Sequence, residues 1–263
     1  MKKLALLVVQ IILTSALNDA ETIIGIPPVL SLRSDISYAR DLSGTGGSVT
    51  VFQSSDIHKL PLVITAAKVS VPDAPVALLI SGDGGWYWFE QSLADHLSAL
   101  GIPTVGIDSR KYLWNRKTPE QVAADIANAM KYYGACWGKK KFMLAGYSYG
   151  AEVVPFIINR AGTAFRENIV SAVLLSPDIT TDFEIHLSNM IGAGNRNNTF
   201  NVADEIQKIK NIKVLAIFGE DEKSVLPSRL AGSGTSVRFI PGDHHYKFNV
   251  SLIMQVMKNA GAY

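Results

Sequence analysis

The sequence has 263 residues, 48% hydrophobic and 18% charged, with 25 basic and 23 acidic side chains and a single cysteine, Cys136. That length and apolar content suit one large α/β core and exclude intrinsic disorder. A lone cysteine excludes an intramolecular disulfide and a cysteine-rich zinc site, and the near-balanced charge carries no global nucleic-acid footprint.

Lys2 and Lys3 precede an apolar run over residues 4–13 and then the small residues Thr14, Ser15 and Ala16. In that order they read as a signal peptide over residues 1–20, cleaved after Ala16 or Ala20. The competing reading, an uncleaved anchor, is disfavoured because a spanning helix needs roughly 20 apolar residues. Loss of the two lysines leaves 23 basic residues against 23 acidic ones. The expectation is a periplasmic protein, exported through the inner membrane, with residues 21–263 forming one domain.

Residues 21–60 are rich in Gly, Ser and Asp and read as irregular, with a strand near residues 49–53. Beyond them, β-rich runs alternate with amphipathic stretches. Strands are expected at 62–71 and 76–81, followed by a helix with Phe89, Leu93, Leu97 and Leu100 on one face. A strand at 104–107 comes next. Thr118 and Gln121 then form a capping box with Pro119 at the first helical position, opening a helix with Val122, Ile126, Met130 and Tyr133 on one face. Strands at 141–145, 169–176, 213–218 and 237–240 complete the pattern, and the Gly- and Asn-rich segment 178–201 reads as an insertion covering the site. Continuous apolar strands alternating with helices imply a mainly parallel sheet with helices on both faces. Ligands bind beyond the carboxyl ends of such strands.

Gly146, Tyr147, Ser148, Tyr149 and Gly150 follow one of these strands and open a helix, the G-x-S-x-G pattern in the context it requires. Ser148 is the candidate nucleophile. A serine hydroxyl needs an imidazole to take its proton and a carboxylate to orient that imidazole. His58 and His96 come too early in the chain and His186 lies in the insertion, which leaves His244 and His245, with His244 preferred. The acid is expected after the strand at 213–218, where Glu222 lies three residues past Gly219 and Asp221 competes with it. Oxyanion donors are expected from the Tyr149 amide and from the glycine loop containing Gly82 and Asp83. No cofactor is expected: Gly44-Thr45-Gly46-Gly47 completes no dinucleotide fingerprint, and no metal-binding helix motif occurs.

Four separated blocks carry a resemblance. They are Ser81-Gly82-Asp83-Gly84-Gly85-Trp86; Asp108 with Trp114 and Thr118-Pro119-Glu120-Gln121; Gly146 through Glu152; and Gly242 through His245. Over residues 60–258 the chain resembles the VirJ and AcvB family of bacterial virulence-associated proteins, in its short, VirJ-like form. The resemblance implies an exported α/β-hydrolase fold and hydrolysis of lysyl-phosphatidylglycerol. For VirJ-like members it also implies contact with type IV secretion components. Ser148 matches the family's elbow serine, and His244 with His245 match its paired histidines.

Such a substrate joins a lysine carboxyl to the glycerol headgroup by an ester, so it brings ammonium groups and a phosphodiester to one site at the membrane surface. Asp83 and Glu152 are candidates for an ammonium; each also has a structural reading, as a turn stabiliser and as a helix N-terminal charge. Arg110, Lys111, Arg116 and Lys117, interleaved with Tyr112 and Trp114, form a loop suited to phosphate or simply a solvated surface. Gly84, Gly85, Trp86, Arg110 and Trp114 are expected to bind substrate. The run Trp86, Tyr87, Trp88, Phe89 reads either as an amphipathic rim or as core. Two alternatives stay open: an esterase or thioesterase acting on another acyl substrate, and a noncatalytic partner of a type IV secretion system.

Overall fold

All seven candidate strands from residue 60 onward enter one sheet. The computed structural model describes residues 57–185 and 199–263, within the unit Gln53–Tyr263. The signal-peptide reading, the strand near 49–53 and His186 lie outside the described residues. The strands are β1 Leu62–Thr65, β2 Val76–Ile80, β3 Thr104–Ile107, β4 Phe142–Tyr147, β5 Ile169–Leu175, β6 Thr180–Thr181, β7 Phe200–Asn201, β8 Lys213–Gly219 and β9 Ser236–Ile240. The helices are α1 Trp88–Ala99, α2 Ser109–Tyr112, α3 Pro119–Cys136, α4 Tyr149–Arg160, α5 Thr163–Arg166, α6 Val202–Gln207, α7 Leu226–Arg229 and α8 Val250–Asn259.

The main sheet runs β1-β3-β2-β4-β5-β8-β9, with β1 antiparallel to β3 and every other pair parallel. Alternation along each strand feeds two cores. Val76, Leu78 and Ile80 of β2 pack with Val122, Ile126 and Met130 of α3 and Phe156 of α4 on one face. Ala77 and Leu79 pack with Phe89, Leu93 and Leu97 of α1 and Ile253 and Met257 of α8 on the other. Both faces are covered at the centre of the sheet, which is why β2 and β4 are buried along their whole length. β2 has β3 on one side and β4 on the other, so the winding direction reverses there and a crevice opens at their carboxyl ends.

Several strand ends shift by one or two residues, β4 running on through Gly146 to Tyr147, and two further differences have a clear cause. β1 ends at Thr65 because its partner β3 begins at Thr104, after Pro103, which has no N–H to continue the ladder. Leu100 leaves the apolar face: it caps α1, is 45% exposed, and is followed by Gly101 at φ +80°, a left-handed helix stop. Of the segment 178–201, the described residues form the β6–β7 pair and pack on α4. Phe183 and Phe200 meet Phe156, and the Tyr149 hydroxyl donates to the Asp182 carbonyl.

The capping box of α3 is formed in both directions: Gln121 N–H donates to Thr118 Oγ1 (3.1 Å) and Thr118 N–H to Gln121 Oε1 (2.9 Å). Thr118→Ala is expected to cost about 1 kcal/mol. By calorimetry its melting midpoint should fall by about 2–4 °C.

Candidate active site

Ser148 sits between β4 and α4 with φ 50° and ψ −120°, a conformation that costs a non-glycine residue about 1–3 kcal/mol. Backbone bonds hold it there. Its N–H donates to Leu175 O (2.8 Å), and its carbonyl accepts from Ala151 (2.9 Å) and Glu152 (3.2 Å). The flanking glycines are steric necessities. A Cβ on Gly146 would lie 2.3 Å from the Gly150 backbone, and one on Gly150 would lie 2.2 Å from the Ile80 carbonyl oxygen. The turn therefore presses the head of α4 against the end of β2.

His244 Nε2 is 2.9 Å from Ser148 Oγ, and its Nδ1 is 2.9 Å from Glu222 Oε1. The loops carrying these two residues touch backbone to backbone. A Cβ on Gly219 would lie 2.2 Å from Asp243 O, and Asp221 N–H donates to Gly242 O (2.9 Å). Gly242 itself, at φ +126°, turns the chain toward His244. Of the two competing acids, Glu222 faces the imidazole, whereas Asp221 is exposed and contributes its amide to the loop contact. Of the paired histidines, His244 reaches the serine. His245 instead binds the Tyr147 hydroxyl through Nδ1 and stacks on Phe248.

Ser176 and Tyr246 complete the arrangement, and sequence reasoning missed both as site residues. Ser176, at φ 47° just past β5, has its Oγ 2.6 Å from Glu222 Oε2 and 2.6 Å from the Tyr246 hydroxyl, which in turn lies 2.8 Å from Ile217 O. The single Ser176 proton goes to the charged acceptor. Glu222 Oε2 also accepts from Gly219 N–H (3.2 Å). Burial works to raise the Glu222 carboxyl, but the bonds from His244, Ser176 and Gly219 outweigh it and hold the group below its ordinary value. His244 is raised, chiefly by its bond to Glu222, against the opposing effect of burial; the charges of Glu222, Glu152 and Asp83 add to the rise.

The oxyanion expectation needs one correction. The Gly82 amide is turned to the buried carboxylate of Glu90 (3.4 Å to Oε1), so it does not point at the reacting centre. Glu90 also accepts from Tyr87 N–H, and burial raises its carboxyl above the ordinary value. Gly82 lies against the elbow: a Cβ there would sit 3.4 Å from the Tyr147 ring and 3.6 Å from Ser148 Cβ, ordinary van der Waals contact. The amide of Asp83 meets no acceptor among the described residues. Tyr149 is the first residue of α4, directly after Ser148.

The remaining candidates separate by position. Glu152 is buried and Asp83 half-buried, and both act electrostatically on His244. Gly84, Gly85, Trp86, Arg110 and Trp114 line a single cavity of about 630 Å³. In the aromatic run, Phe89 belongs to the core and Trp86 is half-buried, with its indole N–H donating to Gln91. Tyr87 and Trp88 are exposed, and Trp88 packs against the exposed Phe248, ring centroids 4.7 Å apart. Among the described residues, no group of three or more His, Cys, Asp or Glu side chains converges to hold a metal ion, and no helix is long and apolar enough to cross a membrane.

The family model described as bacterial virulence protein (VirJ) matches residues 74–261, a span that holds every site residue named above. The chain belongs to the VirJ family. Its fold is that of the α/β-hydrolases, as solved structures with low sequence identity make plain. Est1E from Butyrivibrio proteoclasticus aligns at TM-score 0.53 with 15% identity, covering 77% of this chain and 94% of that one. A lipase-esterase related protein from Clostridium acetobutylicum aligns at 0.55 with 16% identity, covering 76% and 98%. An alpha-beta serine hydrolase homologue from Coxiella burnetii aligns at 0.51 with 15% identity, covering 75% and 89%. No curated protein matches the sequence significantly.

Two measurements check this geometry. Gly150→Ala drives a Cβ into the β2 backbone and should lower the melting midpoint by several degrees, whereas Gly162→Ala, which meets nothing within 4 Å, should leave it almost unchanged. In an NMR titration, His244 should titrate above the ordinary imidazole value in the native chain and drop in Glu222→Gln, because removing the anion removes the stabilisation of the imidazolium. An unchanged His244 titration would contradict the pairing.

Proposed function

We propose that the chain is a serine carboxylester hydrolase with Ser148 as nucleophile, His244 as general base and then acid, and Glu222 as the orienting carboxylate. The observation that carries this reading is the unbroken chain from Ser148 Oγ through both nitrogens of His244 to Glu222. As Ser148 Oγ attacks the ester carbonyl, its proton passes to His244 Nε2, and Glu222 stabilises the imidazolium across Nδ1–H. The amides of Asp83 and Tyr149 receive the developing oxyanion. Collapse breaks the bond between the carbonyl carbon and the alcohol oxygen, and the imidazolium returns its proton to the departing alcohol. Water then gives a proton to His244 and attacks the acyl-enzyme, and Ser148 leaves with that proton restored.

The acyl group assigned here is an aminoacyl group and the substrate lysyl-phosphatidylglycerol, cleaved to lysine and phosphatidylglycerol on the periplasmic side. The resemblance to VirJ-like proteins supports this. So does the ring of carboxylates acting on His244, namely Glu222, Glu152 and Asp83, because a cationic acyl group is favoured in their field. Type IV secretion components are the protein partners this reading assigns. A second reading, a hydrolase of soluble esters or thioesters, keeps the same triad and has in its favour the fold shared with Est1E and the lipase-esterase related protein.

Hydrolysis of lysyl-phosphatidylglycerol in vesicles by native chain and Ser148→Ala tests the proposal. The variant should lose about 10⁴-fold or more in kcat. Equal turnover by both, or none by either, contradicts it. Turnover of other acyl esters alone selects the second reading. Ser176→Ala should lower kcat with little change in KM, because the residue orients Glu222 and does not touch substrate.

A further inference from the structure

Four cations lie between residues 110 and 117, and the structure gives them different roles. Lys111 pairs with Asp108 (2.9 Å), and Lys117 pairs with Asp125 (3.6 Å) while lying over the Tyr112 ring. Arg116 is exposed and does not line the cavity. Arg110 is half-buried, lines the cavity, and has no hydrogen bond or ion pair among the described residues. A guanidinium partly withdrawn from water without an anion is unfavourable, and its planar fork matches phosphate oxygens. Trp86 and Trp114, the latter 48% exposed, line the same cavity. Gly84 and Gly85 line it as well, and a Cβ on Gly85, at φ +103°, would lie 3.0 Å from Asp108 Oδ1 and 3.3 Å from Arg110 Cβ, so this glycine lets the loop seat against Arg110.

The cavity is also at a suitable distance. Gly82 lies beside the nucleophile, where a Cβ would sit 3.6 Å from Ser148 Cβ, and Gly84 follows it by two residues of chain, at most about 7 Å. In an ester of a glycerol phosphate the phosphorus lies five bonds from the ester oxygen, roughly 6 Å with ordinary bond lengths near 1.5 Å. The charges are separated in the same sense. Carboxylates surround the nucleophile, while the cavity carries the net positive charge of Arg110 once Lys111 and Asp108 neutralise each other.

We infer that this cavity is an anion subsite for the alcohol side of the scissile ester, taking a glycerol-linked phosphate, with Arg110 as its specificity-determining cation. The inference rests on the hydrolase reading above and extends it: the site takes a bipolar ester, cationic on the acyl side and anionic on the leaving group.

Three lysyl esters test it: those of glycerol, of glycerophosphoglycerol in solution, and of phosphatidylglycerol in vesicles. The native chain should favour the soluble phosphodiester ester over the glycerol ester by at least tenfold in kcat/KM, mainly through KM, and Arg110→Gln should erase that preference. A native chain that hydrolyses both soluble esters equally, or a variant that keeps the preference, overturns the subsite. A loss confined to vesicles also overturns it, since Arg110 would then be reading a lipid surface. Binding of sn-glycerol 3-phosphate to Ser148→Ala, followed by tryptophan fluorescence, separates the two proposals. Saturable binding that disappears when Arg110→Gln is added supports the subsite even if every lysyl ester proves inert, an outcome that would defeat the hydrolase reading alone. Absence of that binding overturns the subsite.

Discussion

Three backbone contacts, each made at a glycine, hold the reacting groups together. Gly146 lies against Gly150, Gly150 lies against the Ile80 and Ser81 carbonyls, and Gly219 lies against Gly242 and Asp243. The first two fix the serine turn to the end of β2, from which the oxyanion loop departs. The third fixes the acid loop to the histidine loop. Side chains reach their partners because main chains approach to distances that no Cβ permits. The tightness is possible where parallel strands end side by side, at β2 and β4 for the serine turn and at β8 and β9 for the acid and histidine loops.

On that frame the electrostatics are directional. Glu222 is kept ionised against burial by three hydrogen bonds, and its charge then keeps the imidazole of His244 basic. The Ser176 hydroxyl, itself held by Tyr246, and the Gly219 N–H anchor the far oxygen of the carboxylate, leaving Oε1 for the histidine. The histidine loop carries strain: Tyr246, Lys247 and Phe248 all have positive φ, between 48° and 56°. Such residues persist only where their surroundings over-determine them. Here the buried Tyr246 ring with its hydroxyl bonds, and the packing of Phe248 on Trp88, His245 and Phe89, do so.

Much of this was legible in the residues. Alternation located every strand of the main sheet, and the glycine spacing around Ser148 carries its own steric reason. The capping box marked the start of α3. Other features depend on what the chain meets in three dimensions. Local spacing within 219–223 favours Glu222 without excluding Asp221; contact with Gly242 and Asp243 uses the Asp221 amide and leaves Glu222 turned inward. The Gly82 amide was a reasonable oxyanion donor until Glu90, eight residues on, claimed it. Ser176 looked like the last residue of a strand, and its role comes from partners 46 and 70 positions away. Arg110 and Trp114 are the substrate-binding candidates of the cation loop from sequence alone, but the physical distinction, that Lys111 and Lys117 are paired with Asp108 and Asp125, needs the fold.

The account stands on Ser148 being an activated alcohol. Covalent labelling by a fluorophosphonate, mapped to a single peptide and followed against pH, tests this without presupposing a substrate. Label on Ser148, with a rate that grows as His244 loses its proton and collapses in His244→Ala, is the outcome the geometry requires. Label on another residue, or none on a folded chain, would contradict it.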